Sequence, residues 1–570
     1  RLVGSEMCIR DSNGSESEEN SPVPECAHLR KFLVFYVTNL IVGRILFTAF
    51  SRKDRFSMRN RFLSVAVAAA VAVSGFIAPA ANAASFPFLP GFDFDNITTD
   101  ENKVDLEFDA STNKPQDVVL QVGETQDSVM INWVSAPGVT GQSVRIYEKD
   151  TDASAAQEIN ATSADSEVNL GYADDESAEQ SHTVIAHHKA TVTGLKENTE
   201  YIYKVGSEAD GWSEEYTFNT GTYGDNWNFL FYGDTQLYHT HDLDAETSTW
   251  TRTLDQSVGK FPDTSFLLSA GDQANYSAYI EHSKFISPEQ MRKHRVAVNN
   301  GNHDNLHKPS YDAMYNHPSQ GDENYWFTYN NALIVSLDSN DWDDFDDDAA
   351  FVRKTIEEHG KDAEWVIVTF HHSLFSQAYH QEDRQIMYWR ERMTPVFSEM
   401  DVDLVLSGHD HIYTRSYLMD ENKPVNFGNP VPNGGTVEKK KGQVQYVTAN
   451  SSSGSKYYDF FNFKNGKTEL RWNFEESIQD KTARTYTAFW DQNGNPDWTS
   501  IEVTPESLKV STHDIDEGEL DSFTLTRAAE EAPDEGDQNS DTPGKEDSSA
   551  AGSSKAGTAC LLYTSDAADE

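Results

Sequence analysis

The sequence predicts an α/β layered sandwich, its sheets flanked by helices, preceded by an all-β sandwich. Three observations carry that reading. Between about residues 115 and 222, short runs alternate apolar and polar residues and are separated by polar turns, the pattern of half-buried strands. From about 227 to 527, wholly apolar runs alternate with helical stretches, as sheets covered on both faces require. Nearly every one of those apolar runs ends in Asp, Asn or His, groups able to hold a metal.

At 570 residues, with 37% hydrophobic and 24% charged residues, the chain has material for two or three domains. Its formal charge of -48, without a basic patch, repels phosphate backbones, so no nucleic acid is expected as a partner. The stretches "SEMCIRDS" and "CLLYTSDAADE" resemble translated sequencing-adapter read-through, and translation is read as starting at Met58, so residues 1–57 and 560–570 are set outside the working protein. Cys8, Cys26 and Cys560 are the only cysteines, which leaves neither disulfides nor thiolate ligands between them. Residues 58–83 read as a signal peptide: Arg59 and Arg61, an apolar stretch, then Ala81-Asn82-Ala83 before Ala84. A membrane anchor is the competing reading, with Phe32 to Phe50 in its support, though Arg44 interrupts that run. A secreted or cell-surface location is therefore expected.

Residues 84–114 form an irregular lead. In 115–222 the runs "DVVLQVGE", "SVMINWVS", "QSVRIYEK", "HKATVTGL", "EYIYKVGS" and "SEEYTFNT" are the expected strands. Within "VTGLKENTEYIYKV", Leu195, Thr199, Tyr201 and Tyr203 stand as in the tyrosine corner of fibronectin type III domains, which this region resembles. In 227–527 the strands are "WNFLFYGD", "SFLLSAGD", "RVAVNNGNHD", "NALIVSLDS", "WVIVTFHHS" and "DLVLSGHDH". The cluster "YWFTY" reads as a core strand. The acids of "SNDWDDFDDDAAF" read as the first turn of a helix, because the spacing of a calcium-binding EF-hand loop is missing. Alternation from 482 to 527 suggests strands that close the same domain, and 528–559 is an acidic, Ser/Ala/Gly/Pro-rich tail unable to build a core. No membrane span is expected in the mature protein, unless an anchor beyond that tail is missing from this sequence.

The strand-end groups are Asp234 in "YGDTQ", Asp272 in "AGDQAN", Asn302, His303 and Asp304 in "NGNHD", His371 in "VTFHHS", and His409 and His411 in "GHDH". Two cations close together need a bridging carboxylate, terminal imidazole and amide ligands, and glycines that let the backbone turn beside them. The set resembles the calcineurin-like binuclear metallophosphatases, most closely the purple acid phosphatase-like branch with its fibronectin-like N-terminal domain, over roughly residues 115 to 527. The resemblance implies a metallophosphatase layered sandwich and two metal ions. Asp234, Asp272 and His411 would hold the first, and Asp272, Asn302, His371 and His409 the second. A hydroxide between the metals would attack phosphorus. His303 would protonate the leaving alcohol or bind phosphate, with Asp304 holding its other nitrogen.

Two positions depart from the purple acid phosphatase pattern. Gln236 and Asn275 stand where that family has Gly and the metal-binding Tyr, and Tyr276 lies one residue late. A colourless or weakly coloured protein is expected, with iron, zinc, manganese and calcium all open as metals. Gln236, Asn275 and His372 are further candidates for a ligand or a ligand's neighbour. Arg415 is read evenly as a phosphate contact or the partner of an acid. His239, His241, His307, His317 and His380 are read chiefly as solvated loop histidines, with phosphate contact as the alternative. The expected activity is hydrolysis of small phosphate monoesters. A phosphodiesterase or nucleotidase on the same fold is the nearest alternative, and an adhesion module with a structural metal site is the alternative of another class.

Overall fold

The computed structural model describes residues 111–170, 182–319, 324–341, 345–470 and 472–528. The readings made for the signal peptide, most of the irregular lead, the tail beyond 528 and the adapter-like ends lie outside them.

The N-terminal part is a β-sandwich. Strands Gln116–Val122, Val129–Ser135, His182–Val192 and Thr162–Asn169 pair in that order in one layer. The other layer places Ser143–Glu148 between Gln157–Asn160 and Glu200–Ser207, with Tyr216–Asn219 beyond. Every second residue turns inward, so Val118, Leu120, Ile131, Trp133, Val144, Ile146, Tyr203 and Val205 meet in one core. Tyr201 closes the tyrosine corner, its hydroxyl accepting from Lys196 N at 3.0 Å. Gln157–Asn160 and Thr162–Asn169 are strands beyond those expected. They are largely polar and partly exposed, held chiefly by backbone pairing, with Ile159 and Val168 their contributions to the apolar cores.

Beyond residue 226 two sheets pack face to face. The first runs Gly435–Lys439, Gly518–Arg527, Ser507–Asp514, Asp497–Val503, Trp227–Tyr232, Phe266–Ser269, Arg295–Val298. The second runs Tyr325–Tyr329, Ala332–Ser336, Trp365–His372, Leu404–Gly408, Gln443–Thr448, Tyr413–Ser416, Thr487–Asp491. Their facing residues, among them Phe229, Phe231, Phe266, Leu268, Ile334, Ile367, Leu404 and Leu406, form the central core. The alternate residues point outward: Leu230, Tyr232, Leu267 and Val296 pack under helices Leu243–Lys260 and Tyr279–Ile286. On the far side, Leu333, Val335, Val368 and Val405 pack under Phe345–His359 and Arg384–Glu399. This two-sided burial is why these strands read as unbroken apolar runs. Asp346, Asp347 and Asp348 occupy the first turn of the helix Phe345–His359, where its N–H groups favour acids.

The two parts share a sheet. Arg295–Val298 runs parallel to Gln116–Val122, with Gln121 opposite Val296, so the first sheet continues into the sandwich as one eleven-stranded sheet.

Candidate metal centre

The residues that end the central strands converge on one point. Asp234 follows Trp227–Tyr232, Asp272 follows Phe266–Ser269, Asn302 follows Arg295–Val298, His371 lies at the end of Trp365–His372, and His409 follows Leu404–Gly408. Parallel neighbours carry their carboxyl ends to the same edge, so one sheet supplies the carboxylates and the amide while the other supplies the imidazoles. Asp272, His409, His411 and Gln236 all adopt positive φ, at 48°, 71°, 41° and 36°, a backbone region that non-glycine residues enter at a cost.

Of three groups of potential ligand atoms among the described residues, one of them His380–His409–Asp410, two have every member buried, Asp272–His371–His409 and Asp234–Asp272–His411, each with its atoms within 4.8 Å of one another. Asp272 belongs to both. His371 has its Nδ1 3.0 Å from Ala270 O, which leaves Nε2 3.1 Å from Asn302 Oδ1, 3.3 Å from Asp272 Oδ2 and 3.2 Å from His409 Nδ1. His411 has its Nδ1 3.0 Å from Lys456 O, and its Nε2 stands 3.6 Å from Asp234 Oδ1. The two histidines of "GHDH" thus face different groups, because the intervening Asp410 turns away and its carboxylate accepts from Gln381 Nε2 at 2.8 Å.

The donor set fits a pair of cations. Burial raises the Asp234 carboxyl to about 7, the charge a nearby cation would restore. His371, although burial opposes it, is held up to about 9 by the Asp272 and Asp234 carboxylates beside it. His409 Nε2 and Gln236 Oε1 are buried without a hydrogen-bond partner. Glycine closes the walls: a Cβ on Gly301 would fall on Asp272 Oδ1, one on Gly408 on Asp234 Oδ2, and one on Gly271 would lie 2.7 Å from His371 Nδ1.

His303 is half-buried beside this cluster. Its Nδ1 lies 2.6 Å from Asn275 O, which fixes a donated proton on that nitrogen, and its Nε2 accepts from Gln236 Nε2 at 3.0 Å. Asp304 does not hold His303, contrary to expectation. Its carboxylate accepts from the backbone N–H groups of Gly301, Gln273 and Ala274 at 3.0, 3.3 and 3.1 Å, so it clamps the Asp272 and Asn302 loops together. Burial and the nearby Asp272 push the Asp304 carboxyl well above the usual range. Arg415 is no phosphate contact. It is buried 2.6 and 3.1 Å from the Asp521 carboxylate, an ion pair that joins strands of the two sheets.

Gln236 donates to Asn275 Oδ1 as well as to His303, so these two departures from the family pattern form one unit. Tyr276 packs against the apolar cluster under the helices. His372 is buried, with Ser339 Oγ 2.8 Å from its Nδ1 and its ring centroid 4.5 Å from that of His409. His317 is not a loop histidine in solvent but is stacked on Tyr325 at 4.6 Å. His380 lies over His409 at 4.5 Å, its Nδ1 2.6 Å from Asp383 and its Nε2 3.2 Å from Tyr458 OH. Sequence reading missed the wall formed by residues 451–458. Ser451 donates to Asp234 O at 2.9 Å, Ser453 and Ser455 donate to Thr235 O, and the Tyr458 ring stands 5.0 Å from that of His411. The serine run "SSSGS" was its only signal, and serine runs more often mark loops.

Known proteins agree with this architecture. Residues 115–220 match the family model of the purple acid phosphatase N-terminal domain, and residues 228–413 that of the calcineurin-like phosphoesterases. Purple acid phosphatase 17 of Arabidopsis thaliana is 31% identical over 97 residues, 17% of this chain and 26% of that protein. The chain thus matches about a quarter of the length of this curated relative. The structure of purple acid phosphatase PPD1 from yellow lupin (Lupinus luteus) seeds shares the fold, with TM-score 0.57 at 17% identity over 73% of this chain and 75% of that one. Over its two matched segments the chain is thus similar to the purple acid phosphatase N-terminal domain and to the calcineurin-like phosphoesterases, and it shares the fold of the lupin protein.

Proposed function

We propose that the protein is a secreted, metal-dependent phosphatase that hydrolyses small phosphate monoesters. The observation that carries this reading is the position of Asp272, a buried carboxylate common to two ligand groups drawn from both sheets. Asp234, Asp272 and His411 would hold one ion, and Asp272, Asn302, His371 and His409 the other. Two such ions supply an acidified water at neutral pH and neutralise the phosphoryl oxygens. The chain's own residues do the rest. His303 is anchored through Nδ1 to Asn275 O, which leaves Nε2, at the edge of the cluster where an alcohol would leave, as the nitrogen that would exchange a proton with the substrate in place of its contact with Gln236. Gln236 aims that nitrogen. His380, oriented by Asp383, offers a further donor beside His409.

The test is phosphate release by the full chain, loaded with a panel of divalent and ferric ions, from a chromogenic monoester and a matching diester. Fast monoester turnover is expected, with Asp272→Ala losing metal and at least about 10³-fold of activity together. Preference for the diester, or activity that survives in Asp272→Ala, would sink the reading. Secretion rests on residues 58–83 and is tested separately by the N-terminus of the protein recovered from its source, expected at Ala84.

A further inference from the structure

Behind the metal centre, the closing strands bury a second set of acids. Residues 491–497 read "DQNGNPD", with oxygen-bearing side chains at every second position (Asp491, Asn493, Asn495, Asp497) and Gly494 at φ +80° turning the chain between them. This turn connects Thr487–Asp491 of one sheet to Asp497–Val503 of the other. Asp497 lies directly opposite Asp514 in an antiparallel ladder, so both carboxylates stand on one face. They are 2% and 3% exposed. Both oxygens of Asp497 are sealed from solvent and make no hydrogen bond of normal geometry, with the Asn450 amide alongside. Asp514 accepts from Asn493 Nδ2 and from the N–H groups of Asp516 and Glu517, each at 2.6 Å.

Among the described residues, no positive side chain stands among the main charges acting on Asp491 or Asp497. The side-chain charges acting most strongly on Asp497 are Asp491 and Asp514, and those acting on Asp491 are Asp514 and Glu517. Burial first, and these neighbours next, hold Asp491 up to about 6 and Asp497 well above the ordinary range. Like charges opposed across a ladder and buried are costly unless a cation lies between them.

We propose that Asp491, Asp497 and Asp514, with the asparagine amides of the same turn, form a calcium site separate from the metal centre. The donors are all hard oxygens, the chemistry of Ca²⁺ rather than of zinc or iron. The imidazole of His513 is turned to the other face, where it lies tilted against Trp498 with ring centroids 4.4 Å apart and meets Lys260 Nζ at 3.2 Å. The ion would brace the walls of the centre. Gln492 Nε2 donates to His411 O at 2.5 Å, and Asp497 N donates to Ser451 O at 3.2 Å, whose hydroxyl in turn holds Asp234 O.

Trp490 and Trp498 flank the turn, so Tb³⁺ luminescence excited through tryptophan reads this site in the full chain. Expected is a saturable signal displaced by Ca²⁺, kept in Asp272→Ala, with Ca²⁺ affinity about tenfold or more weaker in Asp497→Asn and in Asp491→Asn. Addition of EGTA should lower the melting temperature of the wild type but not of these variants. Asp491→Asn, at the less buried end, keeps the test readable if Asp497→Asn fails to fold. The proposal is overturned by unchanged Ca²⁺ affinity in Asp491→Asn, or by a signal lost in Asp272→Ala yet kept in Asp497→Asn. It is equally overturned by a wild-type melting temperature indifferent to Ca²⁺ that rises in Asp497→Asn, the mark of a carboxyl merely held protonated.

Discussion

A methyl group at position 408 would fall on Asp234 Oδ2, and the backbone N–H of His409 donates to both oxygens of that carboxylate at 3.0 and 2.8 Å. Gly408 therefore sets how closely the His409 loop approaches Asp234. Gly408→Ala is expected to fold, because the strand before it is unchanged, yet to bind metal about 10–100-fold more weakly, as read by metal analysis after dialysis. His303 is different in kind. Its side chain touches the Gln236–Asn275 pair, and only its backbone N–H, which alanine keeps, donates to Asp272 Oδ1 at 2.9 Å, so His303→Ala should retain its metal while turnover falls about 10²- to 10⁴-fold. Loss of metal in that variant would show that His303 is a structural support for the centre. The residue types and their order were plain in the sequence. The role of Asp304 was not, because a carboxylate beside a histidine reads as its partner until the backbone N–H groups of two other loops are seen to claim it.

At the scale of elements, the strand–helix packing buries histidines as neutral rings. His317, between Tyr311 and Tyr325, is pushed down to about 3 by burial, and His188, held between Ser135 and Ser163, to about 4 for the same reason. Unfolded, each titrates near 6.5. The unfolded chain therefore takes up protons first as pH falls. The contribution of each ring is complete above about 6.5 and is lost on acidification toward its folded value. Replacing His317 with Phe, which keeps the stack, should flatten the dependence of stability on pH between about 6.5 and 3. The change should approach about 1.4 kcal/mol per pH unit, measured by urea unfolding at stepped pH. An unchanged slope would mean that the ring is already protonated in the fold. The six alternating runs were legible as strands, whereas Gln157–Asn160 and Thr162–Asn169 were not, since their mostly polar side chains carry no apolar period and only Ile159 and Val168 reach a core.

Across the described residues, the sandwich and the two-sheet part beyond residue 226 are held together by more than their shared sheet. Asn132 Nδ2 donates to Ala313 O at 3.0 Å and also reaches Met314 O, while Lys189 Nζ donates to Asp312 O and Tyr315 O at 2.9 and 2.7 Å. These bonds anchor the helix Lys308–Met314, which follows the Asn302–His303 loop. A single cooperative unfolding transition is expected, and Lys189→Met, which strips the donor from two carbonyls, should lower its free energy by about 1–3 kcal/mol. Two separate transitions in calorimetry would show that the sandwich is an independent domain after all.

By itself the sequence determined the layered α/β class, the strands of the core and the identity of the strand-end groups. Periodicity records which faces are buried, and ligand chemistry is a property of residue types. Tertiary structure alone decided the rest. It handed Asp304 to the backbone and Arg415 to Asp521, and built the wall of 451–458. It also set Asp497 against Asp514. Each of these depends on which groups, far apart along the chain, compete for the same hydrogen bond or the same buried charge, and that competition is settled only when the two sheets meet.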